Sequence, residues 1–335
     1  MGRQRRLGPS NGRASPQAAT FLRDAKASAD SPEACIANRI AGSTHWFAGE
    51  YVEARGHLER ALALFQPGRD DDLAFRFGQD AGVAAMCFLA LTLWPLGDVA
   101  RALSLVDDAQ ARTASISHIG TLAFGRVHAA LFGLMRGDLA QTALNAHELS
   151  RFAHEHDLPL YRALGLFLEG AARVENGGGA SGLEDMRRGA GLLREQGILE
   201  FDGLLKIALA KAEAGAADPD RGVTLLDEAI ATADRTGCGA FDAELLRARG
   251  EMLLNLDPSN PAPAEDALQA AIALAKRQST SSFQLRAALA LAKLYQSTAR
   301  LGEAQAVLVP ALEGFSPTVE MPEIAEARAL MERLG

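Results

Sequence analysis

Apolar and small residues recur along nearly the whole chain at spacings of three and four. Ala54, Leu58, Ala61, Leu62 and Phe65 fall at i, i+4, i+7, i+8 and i+11, and Ala264, Leu268, Ala271, Ile272 and Ala275 repeat the pattern. Side chains three or four apart share one face of an α-helix, whereas a half-buried strand alternates every second residue. No such alternation competes, so the pattern predicts an all-α protein.

The pattern is itself periodic. Leu58-Glu59-Arg60-Ala61-Leu62-Ala63 aligns with Leu226-Asp227-Glu228-Ala229-Ile230-Ala231 and with Leu268-Gln269-Ala270-Ala271-Ile272-Ala273. The anchors extend to Leu58, Val106, Ala146, Met186, Leu226, Leu268 and Leu308, at steps of 48, 40, 40, 40, 42 and 40 residues. Four positions before each anchor stands Ala54, Ala102, Thr142, Gly182, Gly222, Ala264 or Ala304, all small. Three after it come Ala61, Ala109, Leu149, Gly189, Ala229, Ala271 and Ala311, small except at Leu149. Sixteen before it lie Gly42, Ala90, Ala130, Gly170, Ala210, Gly250 and Ala292, where Gly250 requires a turn two residues longer. Low side chains on facing positions let two helices approach closely, and a bulky one would push them apart. Gly49, Gly97, Gly137 and Gly177, nine before their anchors, punctuate the change of helix. The unit is therefore helix, turn, helix.

These columns resemble the tetratricopeptide repeat: Ala90, Ala102, Val106 and Ala109 fit its signature, as do Ala210, Gly222, Leu226 and Ala229. The period of about 40 exceeds that family's 34, and its aromatic position and closing proline are mostly missing. The resemblance implies a tetratricopeptide-like α-solenoid of about seven repeats over residues 32–315. Its end, residues 316–335, would carry a capping helix at 320–333 with Ile324, Ala327, Leu330 and Met331 on its apolar face.

Composition narrows the function classes. The 335 residues are 48% hydrophobic and 6% aromatic, which suits a large helical core. Their longest apolar stretches are shorter than the roughly 18–20 residues a membrane span needs. Net charge is -8, which argues against a hold on nucleic acid. The charge is uneven: residues 1–30 carry six cations against two anions, so residues 1–31 read as a solvated basic tail, with an interaction arm as the alternative. Cys35, Cys87 and Cys238 lie far apart without a C-x-x-C pair, so neither a disulfide framework nor a zinc site is expected and a reducing cytoplasm fits.

Catalytic chemistry finds little support. Gly177–Gly179 lacks the lysine with which a P-loop holds phosphate. His147, His154, His156 and Asp157 lack the spacing that places two imidazoles one helical turn apart, and read as a polar helix end. Cys238 has no histidine after His156 to serve it as base. Asp70-Asp71-Asp72 could cap the following helix, and Trp46 and Trp94 read as plugs between repeats. No catalytic residue, cofactor or metal site is expected.

What remains is the concave wall of first helices. In the usual tetratricopeptide geometry Phe124, Val127, Leu131, Leu134, Leu164 and Phe167 would present an apolar patch there, with Lys211, Arg247, Arg286 and Lys293 adding a basic end. Such a groove would take a protein or peptide partner, either an extended segment or an amphipathic helix with acidic flanks. The alternative is a superhelix tight enough for the wall to pack on itself.

A longer stretch carries a second resemblance. Leu73-Ala74-Phe75-Arg76-Phe77-Gly78-Gln79-Asp80, then Leu93-Trp94-Pro95-Leu96-Gly97 and Pro322-Glu323-Ile324-Ala325-Glu326-Ala327, is similar to the C-terminal region of bacterial class III adenylate/guanylate cyclases that carry an AAA-type ATPase module. The cyclase domain and the phosphate loop of that family have no counterpart here. The resemblance implies a repeat region alone, whether a fragment, a truncated product or a separate paralogue. The expected function is a non-catalytic interaction scaffold or regulatory arm, associated with a cyclase or ATPase module. A cyclase relative lacking its catalytic domains and the sensor arm of a signal-transduction ATPase regulator are the alternatives.

Overall fold

A computed structural model describes residues 31–316, 318 and 320–334. The basic tail expected over residues 1–31 lies, apart from Ser31, outside the described residues. Among these there are 16 helices and no strand. Seven hairpins follow one another: α1 (Pro32–Phe47) with α2 (Tyr51–Leu64), α4 (Ala81–Leu96) with α5 (Val99–Ala114), α6 (Ile119–Arg136) with α7 (Leu139–Glu155), α8 (Pro159–Glu175) with α9 (Gly179–Glu195), α10 (Asp202–Gly215) with α11 (Pro219–Thr236), α12 (Asp242–Leu256) with α13 (Ala262–Arg277), and α14 (Ser281–Ser297) with α15 (Leu301–Leu312). A short α3 (Leu73–Phe77) interrupts the first link, which accounts for the one step of 48 residues. The capping helix is α16 (Pro322–Leu334), with Ile324, Ala327 and Leu330 buried. No described helix is long and apolar enough to cross a membrane.

The small columns are the contact surfaces. A Cβ on Gly42 would lie 2.5 Å from Leu58 Cγ, and one on Gly250 2.7 Å from Leu268 Cγ. Between α8 and α9 the approach is mutual and backbone to backbone: a Cβ on Gly170 would stand 2.6 Å from the Gly182 carbonyl and one on Gly182 2.6 Å from that of Gly170. Here the two backbones themselves touch, and van der Waals contact between main chains replaces side-chain packing. The anchors Leu58, Ala146, Met186, Leu226, Leu268 and Leu308 are buried. Val106 is half-buried and Leu105 takes its inward place. The surplus over a 34-residue repeat lies in the helices, α4 to α9 having 16–18 residues each.

Turn chemistry follows the same register. Gly49, Gly97, Gly137 and Gly177 all have positive φ, between 77° and 95°. In the fifth and seventh hairpins the same place falls to Ala217 (φ 67°) and Ala299 (φ 60°), where a Cβ makes the left-handed turn unfavourable. The aspartate run behaves differently from the expected cap. Asp72 makes no capping bond to α3; buried Asp70 instead accepts from Gln66 N (2.8 Å) and Arg69, and Asp71 pairs with Arg112 of α5 at 2.9 Å. Asp70 and Asp71 shape the long first link because Arg69 and Arg112 offer charged donors that α3 cannot match.

The superhelix closes on itself within the seven hairpins. The Ala240 amide donates to Phe47 O (3.2 Å), the Tyr51 hydroxyl donates to Ala240 O, and Ser282 Oγ donates to Trp94 O (2.6 Å). Arg286 donates to the terminal carbonyls of α6, Met135 O at 2.9 Å and Arg136 O at 3.1 Å, where the negative end of a helix favours a cation. Trp46 is fully buried and packs on Phe47, Phe88, Phe201 and Phe241 at 5.0–5.6 Å. Both tryptophans are plugs, as expected, but they fill the space inside the superhelix as well as that between neighbours.

Candidate functional site

Closure sorts the ten residues expected on the concave wall into three groups. Val127 and Leu131 are buried in the filled part of the interior, and Phe124 stacks on His128 at 3.8 Å. Leu164 and Phe167, also buried, form the floor of an outer cleft. Leu134, Lys211, Arg247, Arg286 and Lys293 line what remains open inside, a channel of about 1030 Å³.

The channel is lined by apolar residues, among them Ala171, Val174, Ile207 and Leu289, and by charged ones, of which Glu244, Arg247 and Arg286 are largely buried. Every cation the sequence places there meets a carboxylate of the chain itself. Lys211 pairs with Glu175 (2.9 Å), Lys293 with Glu326 (2.7 Å), Arg286 with Glu323 (2.7 Å), and Arg247 with Glu244 (2.9 Å) and Glu251 (2.7 Å). Burial alone would raise the Glu244 carboxyl, but Arg247 and Arg286 hold it below the ordinary carboxylate range. Burial would likewise lower Arg247, and the charges of Glu244 and Glu251 outweigh that and keep it cationic. The cations of the channel wall are thus all matched from within, five carboxylates standing against four cations. Arg286 also lies over the Trp94 ring at 4.5 Å, tying the fourth and fourteenth helices together.

The second opening is a cleft of about 880 Å³ between the fourth and fifth hairpins. It was not anticipated from the sequence, although a weak signal is there. The fourth position after the anchor is Leu62, Ile230, Ile272 or Leu312 in repeats one, five, six and seven, but Ala190 in repeat four. A methyl group stands where those four repeats place a branched chain, repeats two and three having Gln110 and Ser150 there, and residues 196–201 link α9 to α10. Ile198, Leu199 and Phe201 of that link are half-buried and face the cleft. Arg187 is held by buried Glu213 (2.8 Å) and Lys206 by Asp202 (3.2 Å). Among the described residues, Arg194, Arg221 and Arg235 line the cleft with exposed side chains that make no ion pair.

Among the described residues, no three His, Cys, Asp or Glu side chains converge as a metal ion would require. Burial pushes the Cys35 and Cys87 thiols up to about 12, which keeps both as neutral thiols. His147 meets Glu169 at 3.3 Å, apart from His154 and His156 at the end of α7.

With the geometry in view, comparison with solved structures gives a fold likeness. The crystal structure of aspartyl phosphate phosphatase F from Bacillus subtilis superposes with a TM-score of 0.50 at 12% identity, over 87% of this chain and 73% of that one. The fold is tetratricopeptide-like. Among curated proteins, uncharacterized protein R02095 of Rhizobium meliloti (strain 1021) is 26% identical over 240 residues, covering 71% of this chain. The matched stretch is 23% of that protein, so this chain spans less than a quarter of its relative's length. No family model matches the sequence.

Proposed function

We propose that the protein is a regulatory interaction arm without catalysis of its own, holding a segment of a partner in the interior channel and serving a nucleotide-cyclase or ATPase module. The single observation that carries the reading is the channel: an opening lined by apolar residues and by internally paired charges, left open where the rest of the wall has packed shut. Two further facts support it. Tetratricopeptide-like hairpins make extended inner surfaces suited to peptides. The relative in Rhizobium meliloti is more than four times as long as the stretch it shares, as expected for repeats that serve a larger assembly. The cyclase and ATPase association rests on the sequence resemblance alone.

The test uses glycines at the channel mouth. Nothing lies within 4 Å of a Cβ on Gly179 or Gly215, so Gly179→Trp and Gly215→Trp would fill the channel without disturbing the fold. Binding to cyclase–ATPase chains of the same cell is expected for the unaltered protein and lost in both variants, with helical circular dichroism unchanged. Cyclic AMP made from ATP by the purified chain would contradict the non-catalytic reading, and binding unaffected by both tryptophans would remove the channel from it.

A further inference from the structure

We infer that the outer cleft between the fourth and fifth hairpins is a second docking site, and that it takes an acidic amphipathic helix of a partner protein. The inference goes beyond the channel and does not depend on it, since α10 separates the two openings and lends a different face to each.

Three observations select this occupant. First, the walls are apolar at the bottom and partly exposed higher up: Phe167, Leu193 and Leu209 are buried, whereas Ile198, Leu199 and Phe201 are half-buried at the entrance. Apolar side chains projecting from one face of a helix at i, i+3, i+4 and i+7 would cover the half-exposed ones. Second, the charge is unspent. The cleft is lined by Arg187, Arg194, Lys206, Arg221 and Arg235 against Asp202, Glu213, Asp218 and Glu228, and Arg194, Arg221 and Arg235 make no ion pair among the described residues, so the lining keeps a cationic surplus in a chain whose net charge is -8. Three exposed guanidiniums around an apolar floor complement carboxylates flanking an apolar stripe, and their forked donors suit bidentate contacts with them. Third, there is room. Ala190 stands where four other repeats have leucine or isoleucine and repeats two and three have Gln110 and Ser150, and Ala231 faces the same opening from α11. A void of about 880 Å³ is far more than a packed interior leaves between helices.

The experiment titrates the full chain with two synthetic peptides by fluorescence anisotropy. Both carry leucines at i, i+3, i+4 and i+7; one has glutamate at the flanking positions and the other lysine. The acidic peptide is expected to bind at least about tenfold more tightly at low salt, with a preference that shrinks as salt rises. Arg194→Glu combined with Arg221→Glu and Arg235→Glu should invert the preference. Ala190→Leu, which restores the chain length four other repeats carry there, should weaken acidic-peptide binding by about tenfold while helical circular dichroism stays unchanged. Gly215→Trp, in the channel, should leave it unaltered, so a failure here is distinguishable from a failure of the channel reading. Equal binding of both peptides, binding of neither, a preference that survives the triple reversal, or inorganic phosphate displacing the peptide from a site indifferent to its leucines would each overturn the inference.

Discussion

The inner helices of the first three hairpins and those of the fourth and fifth share one repeat and end differently. On α1, α4 and α6 the inward positions include Trp46, Phe88, Trp94 and His128, and the sixth and seventh hairpins close over them through Ala240, Ser282 and Arg286. On α8 and α10 the inward positions include Ala171, Val174, Ile207 and Ala208, and a channel stays open. Large rings span the distance across a superhelix; alanine and valine do not. The difference teaches that small residues close the gap only when both surfaces are low. Glycine against glycine brings α8 and α9 into backbone contact, whereas Ala190 facing longer neighbours leaves a cleft.

The comparison predicts large effects in the closed part and small ones in the open part. Trp46→Ala removes the central plug, and urea unfolding should show a loss of about 4 kcal/mol. His128 gives the next largest effect. Its Nδ1 donates to Phe124 O (2.9 Å), its Nε2 is buried without a partner, and burial lowers its pKa to about 4. The unfolded chain takes up this proton below its ordinary value of 6.5 and the folded chain refuses it until about 4, so stability should fall as pH drops from 6.5 to 4. That fall is up to about 3 kcal/mol, and His128→Leu should flatten it in stability measured against pH. In the open part, Ala217→Gly relieves a left-handed alanine (φ 67°) and should raise stability by roughly 0.5–1 kcal/mol, seen as a higher thermal midpoint.

Much of the fold was legible because it is local. Spacings of three and four fix a helix face, and a small residue in a column marks a contact whatever its partner, so Ala54, Gly170, Gly182 and Ala304 could be placed inside from the chain alone. The capping helix followed from the same periodicity. The candidate site was less legible. Whether Leu131 and Phe167 line an opening or a core depends on how far each hairpin rotates against the next, a quantity summed over the whole chain. Nothing near Arg286 in sequence foretells that it spans to α6 and α16, 150 residues back and 37 ahead. Ala190 alone was a weak signal for the cleft, because Ser150 is as short in the same column and Gln110 departs from it as well.

Self-closure is what fills the inner wall around the channel, and its most direct probe is the amide of Ala240. This N–H sits in the link before α12 and bonds to Phe47 O at the end of α1, across the seam between the first and sixth hairpins. Native-state hydrogen exchange should find it protected nearly as strongly as the amides inside α4 and α12, opening only when the hairpins separate. Exchange at the rate of a free loop amide would contradict the account, because the first hairpin would then stand clear of the sixth and the inner wall would be a broad open groove.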